Sequence, residues 1–303
     1  MIEADGLTRR YGDFVAVRNV SFSIEHGEIV GLLGHNGAGK TTIMKMLTGY
    51  LEPSGGSVRV DGADIEQDRL RVQRELGYLP ENLPLYPEMT VSDYLSYAAT
   101  LRGVDPRLAV ARAVEETELE EKALDPISTL SRGFKQRVGV AQAILHEPRF
   151  VILDEPTNGL DPSQTQHMRE LIQRLAATAT VVLSTHIMQE VDAICDRALI
   201  LRDGRLVLDE RLADLKRSDQ LRLRCAGGGP VADLLAGVSG VSRAESVAEG
   251  AWQLTVDGPL DAAAERLARA LVDAGIALHE LGPVQRDLET VFREVNEGVS
   301  DAA

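Results

Sequence analysis

Near the start of the chain, GHNGAGKTT at residues 34 to 42 sets three glycines, Gly34, Gly37 and Gly39, ahead of Lys40, Thr41 and Thr42. The run fits G-x-x-x-x-G-K-S/T, follows the apolar segment EIVGLL and precedes TIMKMLTGY, which reads as a helix. Such glycines let the backbone curl so that its N–H groups, those of Asn36 and Ala38 included, face a polyphosphate. The helix that follows adds the positive potential of its N-terminus. Lys40 is then placed to neutralise β- and γ-phosphates, and Thr41 to hold Mg²⁺ through its hydroxyl. A glycine turn that matches by accident is the plainer alternative, and the order strand, loop, helix argues against it.

Two further runs bring acid–base groups to strand ends. RFVILDEP ends a buried type of strand in Asp154 and Glu155, and adjacent residues on a strand face opposite sides unless the chain leaves the sheet there. Asp154 can thus orient a Mg²⁺ shell while Glu155 polarises an attacking water as general base. A solvated acidic turn is the competing reading. VVLSTH ends another strand in His186, within reach of a γ-phosphate, although an isolated strand-end histidine is more often a surface residue. Farther along, LSRGFKQR opens a second helix: Ser131 is a good N-cap, Gly133 permits close approach, and Val138, Ala141 and Leu145 form an apolar stripe. That helix start is a second anion site, and one nucleotide has no use for both sites within a single chain.

The elements that must position these residues follow from pattern. EIVGLLG, FVILDE and TVVLSTH are near-continuous apolar runs, as in strands covered on both faces of a parallel sheet, and helical patterns separate them. The opening IEADGLTRRYGDFVAVRNVSFSI alternates and turns at YGD, which predicts an antiparallel section feeding that sheet. After LADLKRSD the pattern changes, and a boundary is expected near Ser218. Beyond it the order strand, helix, strand, strand, helix, strand is ferredoxin-like. Its second helix places Leu267, Ala270, Leu271 and Ala274 on one face and ends at Gly275.

At 303 residues the chain is long enough for two domains. A formal net charge of −15 gives no footprint for broad nucleic-acid binding. The two cysteines, Cys195 and Cys225, lack metal-type spacing and read as reduced packing residues. The N-terminus has no signal-peptide core, and no run reaches the roughly 18 apolar residues of a membrane span. The expectation is a cytoplasmic chain that reaches a membrane only through a partner.

Taken in order, these motifs resemble those of the ATP-binding subunits of ABC transporters over residues 1 to about 215. GHNGAGKTT is similar to the family's phosphate loop, LSRGFKQ to its signature, VILDEP to its second nucleotide motif, GLDP to its D-loop and STH to its switch histidine. The resemblance implies an α/β fold, a P-loop ABC ATPase domain with a mixed β section and a helical signature subdomain over 1–217; the strand and helix order beyond it adds a small α+β domain over 218–303. The resemblance implies ATP and Mg²⁺ as ligands and two copies paired head to tail, with Ser131 and Gly133 of one closing over the phosphate held by Lys40 of the other. It also implies that Tyr11 stacks on adenine, that Asp161 lies across the dimer interface, and that Glu81 stands at the family's Q-loop glutamine, facing Mg²⁺.

Two motifs depart from the family, the signature, where Phe134 also stands at the usual glutamine with Gln136 following, and the Q-loop. Arg132 replaces the second signature glycine and puts a guanidinium near the interface. Glu81 offers only acceptors where a glutamine also donates. The stretches GYLPENLPLY, TNGLDPSQ and DLETVFREVN, the last with Leu288, Val291, Phe292 and Val295 on one helical face, are similar to ATPases serving ABC-2-type export permeases of the gliding-motility, sodium-export and drug-export groups. An integral membrane permease and a homodimer are the implied partners, and nucleic acid is not expected; permease contact is placed around Glu81 to Tyr97. The competing classes are a soluble ABC-type ATPase acting on ribosomes or DNA, and a nucleotide-binding regulator that does not turn over.

Overall fold

The alternating opening segments form β1 (Ile2–Tyr11) and β2 (Phe14–Ile24), antiparallel across a tight turn in which Gly12 has φ 58°. β4 (Gly55–Val60) pairs with the other edge of β1, and β5 (Ala63–Asp64) pairs with β4, giving the order β2-β1-β4-β5. The antiparallel section is therefore a sheet of its own and not an extension of the main one. The structure, a computed structural model, describes residues 1–216, 219–226, 231–284, 288–290 and 292. The chain folds into two compact units, Met1–Leu212 with Phe292, and Ala213–Val291.

The main sheet of the first unit has six strands: β3 (Ile29–Leu33), β6 (Leu76–Leu79), β7 (Phe150–Asp154), β8 (Thr180–Thr185), β9 (Arg197–Arg202) and β10 (Arg205–Arg211). Their order is β10-β9-β3-β8-β7-β6, parallel from β9 to β6 with β10 antiparallel at the edge. Every residue of β7 and β8 is buried, which is why these sequences read as unbroken apolar runs. Register pairs Leu33 with Thr185 and Ser184 with Asp154, so β3, β8 and β7 release their chains at one edge of the sheet. That edge is where parallel α/β sheets place ligands.

Helices α1 (Lys40–Leu47), α2 (Arg69–Glu75), α6 (Pro162–Ala176) and α7 (Met188–Ile194) accompany the sheet, and α3 (Val91–Arg102), α4 (Pro106–Glu116) and α5 (Arg132–Ile144) pack on one another. Thr90, Asp105 and Ser131 cap α3, α4 and α5 with their side chains. The start of α5 is therefore chemically fixed. Two glycines bring α5 onto β6: a methyl on Gly77 would sit 2.3 Å from the Ala143 carbonyl oxygen, and one on Gly139 would sit 2.5 Å from Leu79 and Leu83.

A single turn, α8 (Leu212–Leu215), precedes the second unit's β11 (Gln220–Cys225), α9 (Val231–Ala236), β12 (Val241–Ala248), β13 (Ala251–Val256), α10 (Leu260–Asp273) and β14 (Leu278–Pro283). The sheet order β12-β13-β11-β14, antiparallel throughout, is the ferredoxin-like arrangement. Ala263, Leu267 and Leu271 supply the buried face of α10, and Gly275 follows its end at φ 71°. Ala274 departs from the expected stripe: it is the C-cap and exposed. Ser218, Val291 and Val295 lie outside the described residues, whereas Leu288 and Phe292 are buried. Among the described residues no helix is long and apolar enough to cross a membrane.

Candidate nucleotide site

β3 delivers the chain into the glycine loop, and the loop's shape is one that side chains would prevent. Gly37 and Gly39 have φ 84° and 105°, in the left-handed region. A methyl on Gly34 would lie 2.7 Å from the Leu201 carbonyl oxygen. Ala38 is buried, its N–H donating to His35 O at 3.0 Å. Lys40, at the first position of α1, is buried and folds into the loop, donating to Gly34 O at 2.7 Å and standing 3.3 Å from Glu155 Oε1. Its charge is thus held beside the loop by groups that a phosphate can replace.

Asp154 and Glu155 diverge as the sequence requires, because Glu155 leaves the sheet with φ 52°. Its N–H donates to Ser184 O and Oγ at 3.2 and 3.0 Å. Its carboxylate is buried between Lys40 and His186, whose Nδ1 is 3.0 Å from Oε2. Asp154 Oδ1 accepts from Ser184 Oγ at 2.5 Å and from Thr41 Oγ1 at 3.3 Å. Asp154 Oδ2 is buried without a partner. Burial pushes the Asp154 pKa up, against the two hydroxyl donors that pull it down, and Glu81 and Glu155 push it further up. An orphaned carboxylate oxygen beside a threonine hydroxyl is a donor set suited to a hard divalent cation. The residues present therefore fit Mg²⁺, with Thr41 and Asp154 as holders and Glu81 on the same cleft.

That cleft is lined by Tyr11, Phe14, Ala16, Asn36, Gly37, Gly39, Lys40, Thr41, Thr42, Glu81 and Glu155. Tyr11 is half exposed on its wall, with the Arg9 guanidinium 4.8 Å from the ring centroid. Gly34, Ala38, Asp154 and His186 stand behind the wall, and Ser131, Gly133 and Asp161 are likewise not among the lining residues. Ser131 caps α5, accepting from Phe134 N at 3.4 Å, and Asp161 caps α6, accepting from Gln164 N at 2.8 Å. Within one chain the two phosphate signals do not share a cleft.

Sequence reasoning passed over three residues. Phe14, 63% exposed, is a second aromatic on the cleft. Ser184 anchors both carboxylate residues. Glu190, on α7, is buried and accepts a short hydrogen bond from the Thr157 hydroxyl and another at 3.4 Å from Thr185. It thereby ties the segment after Glu155 to the strand end before His186, and burial raises its pKa. Ser184 was legible in STH; Phe14 and Glu190 act through pairings that no local spacing displays.

Comparison with known proteins bears on this arrangement directly. Residues 17–158 match the family model described as ABC transporter. The uncharacterized ABC transporter ATP-binding protein YxlF of Bacillus subtilis (strain 168) is 37% identical over 223 residues, 73% of this chain and 74% of that protein. The linearmycin resistance ATP-binding protein LnrL of the same organism is 35% identical over 219 residues, 71% of this chain and 70% of that protein. Among solved structures, the dimeric bacterial ABC transporter cassette MJ0796 is similar with a TM-score of 0.65 at 26% identity, over 70% of this chain and 99% of that one. This chain belongs to the ABC transporter family: it is an ATP-binding, ATP-hydrolysing transporter subunit.

Proposed function

We propose that the cleft binds Mg·ATP, that two copies of the chain pair around two nucleotides, and that the pair drives a separate ABC-2-type permease, in the direction of export. One observation carries the reading: Lys40, Thr41 and Glu155 line a single cleft, with Asp154 and His186 bonded to Thr41 and Glu155 behind its wall, while the capped start of α5 is not part of that lining. A second copy supplies what the first lacks, Ser131 and Gly133 over the γ-phosphate and Asp161 across the interface. The relation to the dimeric cassette MJ0796 supports the pairing, and the relation to a linearmycin resistance protein supports export.

In this reading Lys40 exchanges its loop carbonyls for phosphate oxygens, and the loop amides hold the chain of phosphates. Glu155 takes a proton from the attacking water, and His186, on its Oε2, fixes the carboxylate's direction. Mg²⁺, when bound, would neutralise phosphate charge. Tyr11 and Phe14 offer the base an aromatic wall.

The permease is assigned to a separate groove of the first unit, lined by Tyr50, Tyr78, Tyr86, Tyr94, Tyr97 and Arg102. Tyr50 and Leu101 are 71% and 70% exposed there, an apolar surface rimmed by polar groups. The subunit accordingly sits on the cytoplasmic face of a membrane, held by its partner. The test is to purify tagged Glu155→Gln with Mg·ATP from detergent-solubilised membranes of the native host and identify the copurifying proteins by mass spectrometry. A polytopic permease is expected. Ribosomal or DNA-bound partners without an integral membrane protein would sink the assignment.

A further inference from the structure

Arg132 stands where the family's signature carries a glycine, and the structure turns its guanidinium back onto its own chain. A methyl built on Gly159 would lie 2.4 Å from Arg132 Cζ and 2.5 Å from Nη1, so the guanidinium rests on the Gly159 backbone. The next residue repeats the contact one turn away: a methyl on Gly133 would lie 2.8 Å from Gln164 Cδ and Oε1. Gln164 is in the first turn of α6, the helix capped by Asp161. Two consecutive residues at the start of α5 are therefore seated on the stretch that runs from Glu155 to Gln164.

That stretch is short and tightly turned. Asn158 N donates to Glu155 O at 3.1 Å, Leu160 N to Thr157 O at 3.1 Å, and Gly159 has φ 72°. Only three residues, Pro156, Thr157 and Asn158, separate Gly159 from Glu155, so a shift at the glycine has little chain in which to relax. Among the described residues Arg132 pairs with no carboxylate, so packing on Gly159, not an ion pair, sets its place.

We propose that Arg132 is a positioning residue of the hydrolytic cycle. Its guanidinium couples the start of α5, where the partner's phosphate is read, to the turn that aims Glu155 in this chain's own site. The inference rests on the paired-copy reading given above. An arginine fits the task because its flat, rigid group can lie along a peptide, which a lysine cannot do.

The test uses the full chain with four variants: Arg132→Ala, Arg132→Lys, Gly159→Ala and the double Arg132→Ala/Gly159→Ala. Gly159→Ala keeps the cation but displaces it, since the flexible arginine tip must give way to the new methyl; the alanine also strains the turn at φ 72°, and the double variant, which keeps that strain but lacks the guanidinium, separates the two effects. Each single variant should lower kcat by about tenfold, below the ~100-fold loss that an ångström of misplacement can cause. The affinity of the isolated subunit for ATP should stay within about twofold, the Hill coefficient for ATP should fall towards one, and the double variant should be no worse than either single. Wild-type kcat and Hill coefficient in Arg132→Lys and Gly159→Ala would overturn the proposal, because charge alone would then suffice. Glu155→Gln in Mg·ATP separates the two readings by gel filtration. If it stays monomeric, the paired-copy reading fails; if it dimerises while the four variants behave as wild type, only the role of Arg132 fails.

Discussion

Asp154 and Glu155 are adjacent in sequence and differ in what surrounds them. Glu155 has the Lys40 ammonium beside one oxygen and a ring nitrogen of His186 on the other, whereas Asp154 has one oxygen on two hydroxyls and the other on nothing. Burial raises the Asp154 pKa. Its contribution to stability is therefore complete below the ordinary aspartate value of about 3.9 and is lost as pH rises through the elevated native one. Without a cation, ionising this buried group is a cost. Asp154→Asn removes the buried charge and should stabilise the nucleotide-free protein at pH 7, read as a higher Tm, while ending Mg²⁺-dependent turnover. A lower Tm with turnover intact would refute this. Glu155→Gln should slow turnover by roughly 10²–10⁴-fold, the usual share of a general base, and leave ATP binding measurable by equilibrium titration.

At the scale of elements, α5 and β6 are joined at both ends of their contact. His146, just past α5, has Nε2 3.0 Å from Leu76 O, and its Nδ1 is buried without a partner. Burial, and then the nearby Arg102 charge, push its pKa down to about 4, against the raising effect of the Leu76 carbonyl. The unfolded chain takes up this proton near pH 6.5 and the native one only near 4, so stability is full above about 6.5 and falls with acid across that window. His146→Gln should flatten the pH dependence of denaturant midpoints between pH 7 and 4.5; an unaltered slope would exclude His146 as its source. The strands and helices themselves were legible because burial imposes periods: β7 and β8 are apolar through their centres, and α10 repeats Ala263, Leu267, Leu271 at four-residue spacing. Residues of the loop and strand ends were legible by type. Three things were not: the separation of the β1–β2 section as its own sheet, the exposure of Ala274, and the Thr157–Glu190–Thr185 tie. Each depends on which distant segment arrives beside it, and a single sequence carries no record of that.

For the whole molecule, the two units have distinct cores. Ile2, Leu7, Val30, Ile43, Leu47 and Phe150 belong to one cluster, and Leu221, Leu223, Leu254, Leu267 and Leu271 belong to the other. All the residues lining the nucleotide cleft fall in the first unit. Damage to the second core should therefore melt the second unit without reaching ATP. Leu267 is fully buried on α10 and offers the cleanest lesion. Leu267→Ala removes three carbons from a closed core and should destabilise the second unit by about 2–5 kcal/mol, as buried leucines do when the cavity cannot collapse. Calorimetry of the variant should show an earlier transition for this unit ahead of one that still shifts upward with ATP, since a ligand stabilises only the unit that binds it. Titration should return the wild-type ATP affinity. One shared transition that falls as a whole, with weakened ATP binding, would mean that the second unit is part of the nucleotide site's own folding and that the two cores do not act separately.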